Sequence, residues 1–166
     1  MLFRSQVTEL GRAVCQGLLS KNVFPVIKHI PGHGRGACDS HLELPKVNCS
    51  LDQLRQKDFY PFKALNDQKF AMTAHILYQS IDPLNCATVS TKVNKIIREE
   101  IGFKNMLMTD DLSMKALQGS FADRCKNAIA SGCDIILHCN GEMNEMQEIS
   151  QSLNGFDENF KVRFCQ

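Results

Sequence analysis

The chain lacks the features that mark several large classes of protein. It has no tryptophan, only two tyrosines and five prolines among 166 residues, and no apolar stretch near the roughly 20 residues that a membrane helix needs. Its 19 basic and 18 acidic residues leave a net charge of +1, so we expect no nucleic-acid partner and no membrane partner. An ordinary globular domain, with 43% hydrophobic residues, is the expected class.

Eight cysteines are present, but none forms a C-x-x-C pair. Cys133 and Cys139 bound an apolar run, where thiols behave as small hydrophobic side chains. The cysteine positions therefore favour neither disulfides nor a structural zinc site. No apolar core of a signal peptide follows Met1, so the sequence predicts a reducing, cytoplasmic setting.

Four short apolar runs predict β-strands. They are almost continuously apolar rather than alternating, which is typical of strands buried on both faces of a parallel sheet. Between and around them, apolar residues recur at spacings of three and four, as in amphipathic helices. The predicted strands are 23–30, 70–76, 105–110 and 133–139, and the predicted helices are 7–18, 89–101, 117–129 (broken at Gly119, with Ser120 as a cap) and 143–153. This alternation predicts an α/β fold with right-handed parallel crossovers.

Residues 31–69 interrupt the alternation and begin with Pro31-Gly-His-Gly-Arg-Gly36. A glycine-rich connection of this length inside a compact domain is usually functional. Within it, Asp39 and His41 are two residues apart, so the carboxylate could orient the imidazole for proton transfer. His33, Asp39 and His41 could instead bind zinc, and both interpretations stay open at this point. A histidine between two glycines, as His33 is, more often has a structural role in such a loop than a catalytic one.

Polar residues follow all four predicted strands. Because the carboxyl ends of parallel strands meet at one edge of a sheet, they indicate a shared site. Asp110 is the candidate catalytic carboxylate, whereas Asp111 suits the cap of a following helix. His75 and His138 are more often buried, hydrogen-bonded histidines than substrate ligands. The four strand ends are Lys28-His29, Thr73-Ala-His75, Thr109-Asp110-Asp111 and His138-Cys-Asn140.

The loop Lys28-His-Ile-Pro-Gly-His-Gly34 with Asp39-Ser-His41 resembles the K-H-F-P-G-H-G…D-S-H loop of bacterial β-N-acetylhexosaminidases of glycoside hydrolase family 3. Thr109-Asp-Asp-Leu-Ser-Met114 is similar to their S-D-D-L-S-M motif. Three further segments resemble family signatures in the same order. These are Asp58-Phe-Tyr-Pro-Phe-Lys63, Met72-Thr-Ala-His75 and Ala130-Ser-Gly-Cys-Asp134. The departures, Ile30 for Phe and Thr109 for Ser, are mild.

The resemblance implies the C-terminal half, about four β/α units, of a TIM (β/α)8 barrel over residues 1–153, with 154–166 unassigned. It implies removal of terminal β-linked N-acetylglucosamine from peptidoglycan fragments with retention, without metal or cofactor. It makes Asp110 the nucleophile and His41 the general acid/base, oriented by Asp39. Lys28 and His29 would then bind the sugar hydroxyls.

A full barrel needs roughly 250 residues, more than the 166 present. The chain is therefore expected to pair with a missing N-terminal half or with itself, or to be an incompetent remnant.

Overall fold

The computed structural model describes residues 4–40, 42–153, 155 and 158–165. Its centre is a four-stranded, wholly parallel sheet in the order β1-β3-β5-β6. Each strand lies within or overlaps a predicted one, so the predicted α/β class with parallel crossovers is confirmed. The strands are β1 (Val26–Ile30), β3 (Phe70–Thr73), β5 (Met106–Asp111) and β6 (Ile135–Leu137).

Helices lie between the strands, and serine side chains cap the N-termini of two of those outside residues 31–69. Ser90 accepts a hydrogen bond from Val93 N–H, and Ser120 accepts one from Asp123 N–H, as predicted for Ser120. Gly132, at φ +115°, ends its helix in the left-handed conformation that glycine adopts readily. The helices outside residues 31–69 are α1 (Arg4–Leu19), α4 (Thr91–Glu99), α5 (Phe121–Ser131), α6 (Met143–Ser152) and α7 (Glu158–Cys165). A 3-10 turn, Ala87–Val89, precedes α4.

The long connection between β1 and β3 is more ordered than its sequence suggested. Ser50 and Gln53 form a capping box. That box starts a helical segment made of α2 (Leu51–Gln53), a π-helical turn (Leu54–Asp58) and α3 (Phe59–Ala64). A second, two-stranded parallel sheet joins β2 (Lys46–Val47) to β4 (Leu77–Tyr78). The prediction of a single loop over 31–69 was therefore wrong, because the capping box at Ser50 and Gln53, well after the glycine-rich beginning, starts a helical segment.

The core lies between the sheet and the helices on its outer face. Ile27, Ala71 and Leu107, from three adjacent strands, pack with Phe59 and Ile97 from the helices. Full burial of such a side chain stabilises the fold by about 1.5–3 kcal/mol. A second cluster joins Leu112 and Leu117 to α5 and α6.

The two outer edges of the main sheet are much less buried. The apolar residues Val7, Leu10, Val14 and Leu18, predicted to share one face of a helix, are 38% to 62% exposed. All three residues of β6 are only half-buried. The sequence predicted these apolar faces correctly, but four strands do not supply the surface that would cover them.

The last helix, α7, lies in the segment whose sequence showed no pattern. Arg163 from α7 and Arg98 from α4 both bind the carboxylate of Asp134, which is 1% exposed, and Leu107 N–H donates to it at 2.9 Å. These contacts attach α7 to the sheet.

Candidate active site

The four strand ends meet at one edge of the sheet, as their parallel order requires. There, His29 Nε2 from β1 lies 3.7 Å from Asp110 Oδ2 at the end of β5. Asp110 is 8% exposed overall. Burial lowers the pKa of His29 below its ordinary value, although the negative charge of Asp110 acts to raise it. A neutral imidazole therefore faces the carboxylate near neutral pH.

The two adjacent aspartates are held in different ways. Asp111 Oδ1 accepts hydrogen bonds from Ser113 N–H at 2.9 Å and Cys139 N–H at 3.1 Å, and its Oδ2 accepts one from Ser113 Oγ at 2.6 Å. Burial acts to raise the pKa of Asp111, but the hydrogen bonds from Ser113 and Cys139 together lower it. Asp111 therefore ties the turn after β5 to the end of β6, in place of the predicted helix cap.

Asp110, by contrast, has one carboxylate oxygen held by the backbone and the other beside His29, where the strands end. Its Oδ1 accepts a hydrogen bond from Asp111 N–H at 2.9 Å, while Oδ2 faces His29. A carboxylate with one oxygen fixed by the backbone and the other not hydrogen-bonded to the backbone is suited to nucleophilic attack.

The loop after β1 is anchored at its base. Tyr78 Oη donates to Gly32 O at 2.5 Å, and Arg35 Nε lies 2.9 Å from Asp58 Oδ2. At Gly32 the φ is +141°, and a Cβ would lie 3.0 Å from Asp58 Cβ. A side chain at this position would therefore disturb the contact between Asp58 and Arg35. The base of the loop is thus held beside His29.

The predicted loop residues are only partly brought together. Lys28 is exposed in the middle of β1, where it lines the groove beside α1, and Asp39 is exposed further along the loop. His41 lies outside the described residues, so the predicted pairing with Asp39 has no geometry here. His33 packs against the His29 ring, with centroids 5.3 Å apart, and its Nε2 lies 3.4 Å from Ser40 Oγ.

His75 and His138 both have structural partners. His138 Nε2 lies 2.7 Å from Glu145 Oε2, and its ring packs edge-on against Phe121. His75 is fully buried and bonds Thr88 and the carbonyl of Asp111. Thr88 was missed by sequence reasoning, because nothing distinguishes a threonine in a short turn until the fold brings it under β5.

No group of three or more metal-ligand side chains occurs among residues 4–40, 42–153, 155 and 158–165. The part of the chain that the structure describes also contains no helix long and apolar enough to cross a membrane.

The family model described as glycosyl hydrolase family 3 N terminal domain matches residues 4–161. A β-hexosaminidase of Alkalilimnicola ehrlichii is 37% identical over 81% of the chain and 40% of its own length. A β-hexosaminidase of Pasteurella multocida is 31% identical over 93% of the chain and 46% of its own length.

Solved structures agree with these sequence relatives. The NagZ protein of Neisseria gonorrhoeae, in complex with N-trifluoroacetyl-D-glucosamine, superposes with a TM-score of 0.83 at 30% identity, over 95% of this chain and 46% of that one. A family 3 β-N-acetylglucosaminidase of Paenibacillus gives a TM-score of 0.84 at 27% identity, over 95% of this chain and 32% of that one. The chain thus spans less than half the length of these relatives.

Proposed function

Because the chain belongs to glycosyl hydrolase family 3, we propose that it provides the catalytic half of a retaining β-N-acetylglucosaminidase. The observation that carries the proposal is the contrast between the two aspartates. The described hydrogen bonds to the carboxylate of Asp111 come from Ser113 and Cys139, in the turn after β5 and after the end of β6. Asp110 Oδ2 instead faces His29 where the strands end.

In the proposed reaction, Asp110 Oδ2 attacks the anomeric carbon of the terminal sugar. The bond to the leaving oxygen breaks as His41, oriented by Asp39, gives that oxygen a proton. The resulting glycosyl ester of Asp110 is then hydrolysed by a water that His41 deprotonates, which restores both groups. Two displacements at one carbon retain the β configuration. Histidine replaces the second carboxylate that most glycosidases use, and its ordinary pKa suits proton transfer near neutrality.

Lys28 and His29 are proposed to bind the sugar hydroxyls. His29 suits this role because its lowered pKa leaves a neutral ring beside Asp110. The ring can then accept a hydrogen bond from a sugar hydroxyl through one nitrogen and donate a hydrogen bond through the other. Lys28, exposed one residue before His29 in the same strand, would supply a positive charge.

The proposed substrates are N-acetylglucosamine-terminated peptidoglycan fragments, degraded in the cytoplasm during cell-wall recycling. The curated relatives are named β-hexosaminidases, and the gonococcal NagZ was crystallised with an N-acylated glucosamine. These names support an N-acetylhexosaminide as the sugar. The cell-wall source and the compartment come from the family resemblance.

The chain is also proposed to need further strands, because both edges of its main sheet are open among the described residues. A groove of about 960 Å³ lies beside β6, under Met146 and Ile149 of α6. A second groove, of about 480 Å³, lies beside β1, under Val7 and Val14 of α1. Parallel sheets normally have covered edges and faces, so each groove is suited to a neighbouring strand.

The helices indicate what kind of segment would close the barrel. In a (β/α)8 barrel the helices form one outer ring around eight strands. Two copies paired β6 to β1 would crowd α6 of one copy and α1 of the other over the same junction. A segment that starts and ends with a strand, having four strands and three helices, avoids this conflict. We therefore favour a complementary half over self-association.

The test is to co-express this chain with the part of the gonococcal NagZ that it does not match. The purified complex should hydrolyse 4-nitrophenyl N-acetyl-β-D-glucosaminide, and proton NMR should show the β-anomer of N-acetylglucosamine first. Initial release of the α-anomer would contradict a retaining mechanism. Absence of turnover by a folded complex would favour the catalytically incompetent remnant.

A further inference from the structure

A closed set of buried hydrogen bonds surrounds the peptide that carries Asp110. Asp110 N–H lies 3.3 Å from Thr73 Oγ1, which lies 2.9 Å from Thr88 Oγ1. Thr88 Oγ1 lies 2.7 Å from His75 Nδ1, and His75 Nε2 lies 3.0 Å from Asp111 O. We call Thr73, Thr88 and His75 the relay. It starts at the amide of Asp110 and ends at the carbonyl of Asp111.

The chemistry of the end groups fixes the direction of every bond in the relay. A carbonyl only accepts, so His75 Nε2 carries the proton that bonds Asp111 O. In a neutral ring, His75 Nδ1 then accepts from the Thr88 hydroxyl, which in turn accepts from the Thr73 hydroxyl. Thr73 Oγ1 is left as the acceptor for Asp110 N–H. The Thr88 hydroxyl has a second, longer acceptor in the carbonyl of Ala74 at 3.3 Å, but only its bond to His75 Nδ1, at 2.7 Å, completes the relay.

The relay is shielded from water and attached to the rest of the fold. Thr73, His75 and Thr88 are each 0% exposed. On its backbone side, Thr88 O accepts a hydrogen bond from Ser131 Oγ at 2.8 Å. With a neutral His75 ring, a Thr88 hydroxyl turned to the carbonyl of Ala74 would leave His75 Nδ1 without a donor, so the arrangement that pairs every member of the relay is favoured.

We propose that Thr73, Thr88 and His75 are positioning residues that hold the Asp110–Asp111 peptide, so that Asp110 Oδ2 is aimed at the sugar. The inference rests on the proposed role of Asp110 as nucleophile. None of the three residues touches the substrate in this scheme. They act through the two backbone groups on either side of the peptide.

The charge state of His75 belongs to this arrangement. Burial lowers the pKa of His75, while a hydrogen bond to the carbonyl of Asp111 and the charges of Asp110 and Asp111 act to raise it. The positive charge of Arg124 acts to lower the pKa. A proton on Nδ1 would end the hydrogen bond that Thr88 donates to the ring, so the Thr88 hydroxyl would have to turn to the carbonyl of Ala74, 3.3 Å away.

The first test uses the full chain and does not depend on activity. Nitrogen-15 NMR of the chain, alone and in the co-expressed complex, should show His75 as the neutral Nε2–H tautomer at pH 7. Thr88→Val removes the central hydroxyl at nearly constant volume. It should speed hydrogen exchange of the Asp110 amide at least tenfold, and Thr88→Ser should restore protection. A protonated ring, an Nδ1–H tautomer, or unchanged exchange would overturn the relay.

The second test uses the co-expressed complex and separates positioning from stability. Thr88→Val should lower kcat at least tenfold with KM little changed, and Thr88→Ser should recover most of it. Ser90→Ala removes another buried hydroxyl two residues away, which bonds Asp82, and should lower stability without this loss of kcat. Equal kcat in both variants would overturn the positioning role. If the wild-type complex has no turnover, the proposed function fails, and the NMR test alone decides the relay.

Discussion

His29 Nε2 and Asp110 Oδ2 lie 3.7 Å apart across the end of β3, although 81 positions separate the two residues in the sequence. The strand order β1-β3-β5 brings them together, because only one strand stands between those that carry them. The pair distinguishes Asp110 from Asp111, whose carboxylate is bound by Ser113 and Cys139.

Replacement of Asp110 should remove turnover, whereas replacement of Asp111 should not. In the co-expressed complex, Asp110→Asn should lower kcat at least about a thousandfold, since an amide cannot form the glycosyl ester. Asp111→Asn keeps one carbonyl oxygen for Ser113 and Cys139 N–H, so it should cost about 1 kcal/mol of stability and less than about tenfold in kcat. Steady-state kinetics and urea unfolding measure these effects, and equal losses of kcat would contradict the assignment of Asp110.

His41→Ala should affect substrates according to their leaving groups. Alkyl glycosides, which leave as strongly basic alkoxides, need protonation as the bond breaks and should lose about 100-fold or more in kcat/KM. Activated dinitrophenyl glycosides should lose much less in the same step. Asp39→Asn should show the same trend with smaller losses, because the imidazole remains. A uniform loss across leaving groups would mean that His41 only shapes the loop.

The stability of the chain should rise between about pH 5 and pH 7. Burial lowers the pKa of His29 and His75 below the ordinary value of 6.5, so the unfolded state binds more protons in that range. The full stability is present above 6.5 and declines as the pH falls toward the folded-state pKa values, by at most about 1.4 kcal/mol per pH unit for each group. His75→Gln should flatten the dependence of Tm on pH, measured by circular dichroism. An unchanged slope would contradict a buried neutral His75.

Charged substitutions in the two edge grooves should block assembly with a complementary half. Val14, 62% exposed, lines the groove beside β1, and Met146, 43% exposed, lines the groove beside β6. Val14→Glu and Met146→Glu should leave the isolated chain folded and reduce complex yield in native mass spectrometry. Leu84→Glu, at a residue 85% exposed and outside both grooves, is the matched control. The isolated wild-type chain should be marginally stable, prone to associate and nearly inactive.

Loss of Asp134 should destabilise the fold strongly. Its carboxylate is 1% exposed and binds Arg98 and Arg163. Asp134→Ala leaves both guanidinium groups without their buried partner, which should cost about 3–5 kcal/mol. Glu99→Ala, at an exposed pair with Lys95, should change the free energy of unfolding by less than about 0.5 kcal/mol. Urea unfolding of both variants measures the difference.

The sequence alone determined the α/β class, the four strands and the family, because these depend on local patterns. Near-continuous apolar runs mark strands buried on both faces, Ser120 and Gly132 mark helix ends, and the loop motif identifies the relatives. The same patterns drew attention to Asp110 and His29 at strand ends. They did not reveal α7, whose attachment depends on the ion pair between Arg163 and Asp134 rather than on periodicity.

Only the tertiary structure decided what the individual polar groups do. Thr73, Thr88 and His75 are joined to the backbone of Asp110 and Asp111 by hydrogen bonds, and no spacing in the sequence encodes that approach. The exposure of Val14 and Met146 likewise depends on which strands are absent beside β1 and β6. Local patterns record which faces are apolar, whereas burial and hydrogen-bond partners depend on what the rest of the chain brings against them.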